Sequence, residues 1–203
     1  LKSVWLFCCL KVSSMFDIRK ATHVAAYLLW KRGRRMSSLK LMKMMYIAEK
    51  QFLLQYGERL TGDKMVSMPY GPVLSATYDC FMGDREYWDS WIINPGNYDL
   101  ALNSSVKVDP ADPLDPFDEL SVAEKTVLDS VYSKFGASNR WNLVKLLHDP
   151  DYCPEWENPQ GSSYPIHIKS LLMKNGKTKE ETDAILEKIR EEDDLQVVTQ
   201  RLS

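Results

Sequence analysis

The sequence lacks most of the patterns that announce chemistry. Its four cysteines, Cys8, Cys9, Cys80 and Cys153, include no CxxC pair, and no histidine stands at zinc spacing from them. That excludes a zinc ribbon and favours reduced thiols over a disulfide frame. The three histidines, His23, His148 and His167, form no HExxH or similar ligand pair, so no metal ligand is assigned. Glycine-rich phosphate loops and other cofactor fingerprints are absent, which leaves no basis for a bound cofactor. There is no internal repeat. The run Val4 to Leu10 is far too short to span a bilayer, and no small-residue cleavage site follows it. An excess of one charge is missing too. The 26 Lys and Arg against 28 Asp and Glu give a formal net charge of −2, which argues neither for nor against nucleic acid.

What is present suffices for one compact domain: 203 residues, 44% of them hydrophobic. The chain is organised around Ser37 to Pro72. Ser37 or Ser38 caps a long helix, and Gly57, directly after Tyr56, sits where a left-handed stop belongs. At 100° per residue, Leu39, Leu41, Met42, Met45, Tyr46, Phe52, Leu53 and Tyr56 share a wide arc, with Ile47 and Leu54 opposite among Lys40, Lys43 and Lys50. A helix apolar on nearly every side is enclosed by other elements. Thr61-Gly62-Asp63 is a turn, Lys64 to Met68 a short strand, and Pro69 to Pro72 a corner in which Gly71 tolerates positive φ.

Around this core helix the chain reads mostly as helix. Asp17 caps a first one ending at Lys31 or Arg32, with Gly33 as its stop. A third runs from Val73 to Phe81. Ser121 to Glu124 is a capping box opening a helix to Phe135, and Ser138 starts another that carries Trp141 and His148. Val106 to Val108 is expected to return beside the Met65 to Met68 strand as a hairpin-like sheet. The segment 149–165 is an irregular loop anchored by Tyr152, Trp156 and Tyr164. A short helix over Ile168 to Lys174 and a charged one from Thr178 to about Asp194 complete the chain. The fold class is mostly α (α+β), a compact helical domain around a central helix with a small sheet.

The run KLMKMMYIAEKQFLLQYGERLTGDKMVSMPYGPV resembles the Panacea domain of SocA-like antitoxins: a K-L-x-K-x-x-Y-x-A-acid helix, a T-G-acid turn and a Y-G-P-V corner. The similarity extends to ATHVAAYLLWKRG upstream and to LSVAEKTVLDSVYSKFG, HDPDYCPEW and GSSYPI downstream. It implies an antitoxin that binds a cognate protein toxin directly and catalyses no reaction, or, as some relatives do, an adaptor that delivers the toxin to a protease complex. On this reading residues 15–176 form the antitoxin domain and 177–203 a charged helix and tail. Residues 1–14 are expected to be a non-native or disordered extension from translation upstream of the natural start, rather than a membrane or partner anchor. The resemblance leaves the toxin and the oligomeric state open, and implies a cytoplasmic protein.

Individual residues are weighed against ordinary packing. A cysteine hydrolase would pair Cys153 with His148 or His167, but nothing around Cys153 matches a nucleophile signature. His23 reads as an exposed or edge-packed residue. Lys31, Arg32, Arg34 and Arg35 offer phosphate contacts to a DNA-contacting regulator, the alternative from another class, although no recognition-helix motif accompanies them. Ile47 and Leu54, ringed by lysines, are expected to border a partner patch together with Met68, Tyr70 and Pro72. Glu49 interrupts the apolar arc and must find donors. The expected donors are the backbone of the corner ending at Gly71, the Tyr70 hydroxyl, or the rings of His148 and Trp156.

Overall fold

The computed structural model describes residues 16–83, 85–109 and 115–202, so the extension expected at 1–14 lies outside the described residues. Asp17 caps α1 (Ile18–Lys31) by accepting the N–H groups of Arg19 and Lys20. After β1 (Arg35–Ser37) comes α2 (Ser38–Tyr56), stopped by Gly57 at φ 67°. Then follow β2 (Met65–Ser67), β3 (Val73–Leu74), α3 (Ser75–Met82), α4 (Glu86–Trp91), β4 (Ile92–Gly96) and β5 (Asp99–Leu102). The remaining elements are α5 (Val122–Phe135), α6 (Arg140–His148), β6 (Tyr164–Pro165), α7 (Ile168–Lys174) and α8 (Lys179–Leu202). The protein is mostly α with some β.

The core lies around α2, which is covered by α1, α3, α5, α6 and β3. The Ser121–Glu124 capping box starts α5 as expected. At α6, however, Asn139 rather than Ser138 supplies the cap.

Strand pairing departs from the expectation. Val106 to Val108 forms no strand, and β2 pairs instead with β3 and β6 in an antiparallel sheet. A second antiparallel sheet has the order β1-β5-β4. The Pro-Gly corner turns the chain straight back on β2 as β3, a local closure of low entropic cost, and β6 at the far end of the 149–165 segment takes the other edge. The C-terminal helix also continues to Leu202. It docks on α7, with Ile185 over Gly57 and Arg59 paired to Asp193 at 2.5 Å.

The face of α2 read as polar is buried. Ile47 is 1% exposed and Leu54 half-buried, so Ile47 belongs to the core and not to a partner patch. Each neighbouring lysine passes its ammonium head to a carbonyl of a covering segment: Lys40 to Gly136 at 2.6 Å, Lys43 to Pro72 at 2.9 Å and Lys50 to Tyr152 at 2.8 Å. Helical projection counts a lysine as a solvent marker. Here the long stems lie in the core and only the heads seek polar partners. His23 is likewise buried rather than exposed, because α4 covers that flank of α1, and its ring lies 4.3 Å from that of Trp91.

Glu49 is fully enclosed and pins a loop, but not the expected one. Its carboxylate accepts the Leu60 N–H at 2.8 Å, the Thr61 N–H at 3.0 Å and the Thr61 hydroxyl at 2.7 Å. The turn that follows the helix folds back to it, and the chain behind Gly57 is short enough to make this the nearest source of free N–H groups. His148 and Trp156 do hold the Met68 to Gly71 corner, independently of Glu49. Trp156 Nε1–H donates to Met68 O at 3.1 Å, and His148 Nε2 lies 3.1 Å from Pro69 O.

The same turn reaches further. Asp63 accepts the Ala76 and Thr77 N–H groups at the start of α3, and Thr61 O accepts the Asp17 N–H ahead of α1. Glu49→Leu strands three donors at once, each worth roughly 1–3 kcal/mol when buried without a partner, so a loss of at least about 3 kcal/mol is expected. Glu49→Gln keeps one acceptor and loses about 1–3 kcal/mol. Urea denaturation with amide exchange at Leu60, Thr61, Ala76 and Thr77 checks both values. Unchanged protection at Ala76 and Thr77 in the leucine variant would show that the turn does not depend on Glu49.

Candidate partner-binding groove

Near the start of α2 the cover is incomplete, and Leu39 is only half-buried. There Leu39, Met42 and Lys43 form the floor of a groove of about 480 Å³. Met68, Pro69, Tyr70 and Gly71 make one wall, Tyr78, Phe81 and Met82 of α3 another, and the β4–β5 hairpin tip closes the end with Tyr98. The surface is overwhelmingly apolar, and its rim is unusually exposed: Tyr70 is 62% exposed, Met82 65% and Tyr98 81%.

Tyr98 is held there by backbone geometry. The two-residue hairpin loop has φ 57° at Asn97 and 58° at Tyr98, a type I′ arrangement in which the second position strongly favours glycine. A tyrosine in that conformation is strained, by an amount on the order of 1–3 kcal/mol. Its carbonyl accepts both the Ser38 N–H at 2.8 Å and the Ser38 hydroxyl at 2.9 Å, fixing the hairpin to the start of α2.

Of the five residues expected at a partner patch, the structure brings Met68 and Tyr70 into the groove. Pro72 is buried with its carbonyl turned to Lys43, while Ile47 and Leu54 lie in or against the core. Gly71 has φ 92°, a conformation that side-chain-bearing residues rarely adopt, so the corner needs glycine. Sequence reasoning missed Tyr78, Phe81, Met82 and Tyr98. Only the N-Y-D order after Pro95-Gly96, a tyrosine where a hairpin wants glycine, carried a signal.

The other candidates fall into structural roles. Cys153 is buried, its Sγ–H donates to Glu155 at 3.2 Å, and burial pushes the thiol up to about 12. His148 is occupied by the Val144 and Pro69 carbonyls. Burial would raise the Glu155 carboxyl, but donors from Tyr46, Asn175 and Lys50 outweigh it and hold Glu155 below the ordinary range. This network ties the 149–157 loop to α2. Most of the basic cluster is committed to partners as well. Lys31 pairs with Asp129, Arg35 with Asp99, and Arg34 donates to the Asn103 and Val106 carbonyls. Among the described residues no group of His, Cys, Asp and Glu is placed to hold a metal, and no helix is long and apolar enough to cross a membrane.

Two titrations on α2 run in opposite directions. Burial raises the Glu49 carboxyl from 4.5 to about 7 against the pull of its three donors, and burial lowers the Lys43 amine from 10.5 to about 7. Stability tied to protonated Glu49 is complete below pH 4.5 and is lost as pH rises through 7. Stability tied to neutral Lys43 is complete above pH 10.5 and is lost as pH falls through 7. Comparing unfolding free energies with Lys43→Met isolates the second effect, since the other groups cancel in the difference. Wild type should gain on the variant steadily between pH 7 and pH 10.5, by a few kcal/mol in all. A constant difference across that interval would mean that Lys43 titrates normally.

Comparison with known proteins places this geometry in context. No curated protein and no solved structure matches the chain. A family does match, over residues 41–157: the SocA-like antitoxins with a Panacea domain. That stretch runs from inside α2 to the end of the 149–157 loop, and so contains the partners of Lys43, Tyr46, Glu49 and Lys50 as well as most of the groove. Since the match spans more than half of its 203 residues, the chain belongs to the family of SocA-like antitoxins with a Panacea domain.

Proposed function

We propose that this protein neutralises a toxic partner protein by binding it directly, with the groove beside α2 as the contact surface and no reaction of its own. The reading draws on membership of an antitoxin family. The observation that carries it is Tyr98: a large aromatic residue, 81% exposed, kept in a strained left-handed conformation at the mouth of an apolar groove. Packing does not account for such a residue, because it covers little of the protein's own surface. Aromatic side chains with few rotatable bonds are the usual anchors of protein interfaces. The exposed apolar rim formed with Tyr70 and Met82 suits the same purpose. Binding in this reading is cytoplasmic and needs no cofactor.

Co-expression with the product of the adjacent reading frame, scored by growth and by affinity of the purified pair, tests the proposal. Tyr98→Gly relieves the backbone strain, so stability should hold within about 1 kcal/mol or rise. Affinity for the partner should nevertheless fall at least about tenfold, the loss typical of an interface anchor. Unchanged affinity with a folded variant would place the contact elsewhere. Neutralisation that persists in a strain lacking its ATP-dependent proteases supports direct binding, whereas dependence on them supports delivery to a protease complex.

A further inference from the structure

Beside the groove, and separated from it by the Tyr70–Trp141 ring pair at 6.2 Å, lies a second depression of about 340 Å³ with the opposite character. It is lined by Arg32 at the end of α1, Arg35 and Lys40 around the start of α2, and Arg140 with Trp141 at the start of α6. Among the described residues no acidic side chain lines it. Arg35 is paired with Asp99, but among the described residues Arg32, Lys40 and Arg140 have no carboxylate within ion-pair distance. Lys40 spends its one described hydrogen bond on the Gly136 carbonyl. Burial and then the nearby Arg32 guanidinium press its amine below the ordinary value, as expected where cations crowd without a counter-charge. Arg140 lies over the half-exposed Trp141 ring, 5.6 Å from its centroid.

We infer that the groove and this basic cleft form one composite site for a single protein segment, apolar where it covers Leu39, Met42 and Tyr98 and carrying carboxylates where it crosses the Tyr70–Trp141 ridge to meet Arg32 and Arg140, the exposed cations of the cleft without an acidic partner among the described residues. The inference rests on the neutralisation reading and specifies the chemistry of the toxin surface. Charge complementarity chooses the occupant. Among the described residues the groove's only charged lining side chain is Lys43, 1% exposed and tied to Pro72, so an acidic segment gains nothing along the groove. An apolar one gains nothing in the cleft. A nucleic acid fits poorly, because two unpaired exposed cations on one side of an apolar groove neutralise few phosphates. Guanidinium groups, by contrast, pair carboxylates through two parallel hydrogen bonds.

The test uses the full chain and the product of the adjacent reading frame. Arg32 and Arg140 are both exposed, so Arg32→Glu/Arg140→Glu leaves the fold intact, which circular dichroism checks. The double variant should bind at least about tenfold more weakly, and its residual affinity should lose most of its salt dependence. Tyr98→Gly should weaken binding while keeping the wild-type salt dependence. A photo-crosslinker in place of Trp141 should capture a partner peptide with Asp or Glu beside apolar residues, and changing that carboxylate to Lys should restore affinity to the double variant. Wild-type binding that ignores the charge reversal, or a captured peptide without acids, overturns the composite site and leaves neutralisation standing. No wild-type binding at all overturns neutralisation itself. Tighter, salt-steep binding to a labelled DNA duplex, or self-association lost on charge reversal, would each assign the cleft to another occupant and overturn the inference.

Discussion

A helix buried on all sides has nowhere to put its polar side chains except against the segments that bury it, and most of this structure follows from that constraint. Lys40, Lys43, Tyr46, Glu49 and Lys50 recur at close to every third position of α2, so they fan across about half of its circumference as the helix rises. Between them they meet four irregular segments: Gly136 behind α5, the Pro72 corner, the Leu60–Thr61 turn, and the 149–157 loop through Glu155 and Tyr152. An unpaired buried charge costs far more than these bonds return, so the segments are held in place by what α2 would lose without them. In this chain α2 is therefore a set of attachment points for loops, and the loops that receive them lie within the region matched by the family.

The groove is a consequence of where this wrapping stops. On the groove side the first turns of α2 are reached by the corner held by Trp156 and His148, by α3 held through Asp63, and by a hairpin whose tip bonds to Ser38, while Lys40 on the other side meets Gly136 behind α5. Each wall is anchored through backbone hydrogen bonds, which leaves the side chains of Tyr70, Met82 and Tyr98 largely exposed. A binding surface built this way is largely preorganised, so little of the interaction energy is spent on ordering it. The network of Glu155, Lys50, Tyr46 and Cys153 looks chemical in sequence. In the fold it is sealed away, its thiol kept protonated and its carboxylate kept ionised, as a fastening for the 149–157 loop.

Local rules written into neighbouring residues were legible from the sequence. The Asp17 cap, the Gly57 stop, the Ser121–Glu124 box and the span of α7 need only short-range hydrogen bonds and conformational preference, and they stand where expected. So did the central place of α2, because a helix apolar all round is stable in water only when other elements enclose it. The demand of Glu49 for donors was equally plain, because burying a carboxylate alone is prohibitive. The ordered motifs from Lys40 to Val73 were specific enough to indicate the family.

Only the tertiary structure decided which groups met. Lysine marks solvent in a helical projection, yet here three lysines lie inside because carbonyls of distant segments receive their heads. That choice moved Ile47 into the core and turned Pro72 inward. Glu49 required some set of N–H groups, but several loops could supply them, and the turn behind Gly57 does so by returning to the helix it leaves. Strand partners were undetermined for the same reason, since two- and three-residue strands carry too little side-chain pattern to select among alternatives. The groove was least visible of all. Its walls come from four segments between Ser38 and Tyr98, and an apolar residue reads alike in sequence whether a neighbour covers it or nothing does.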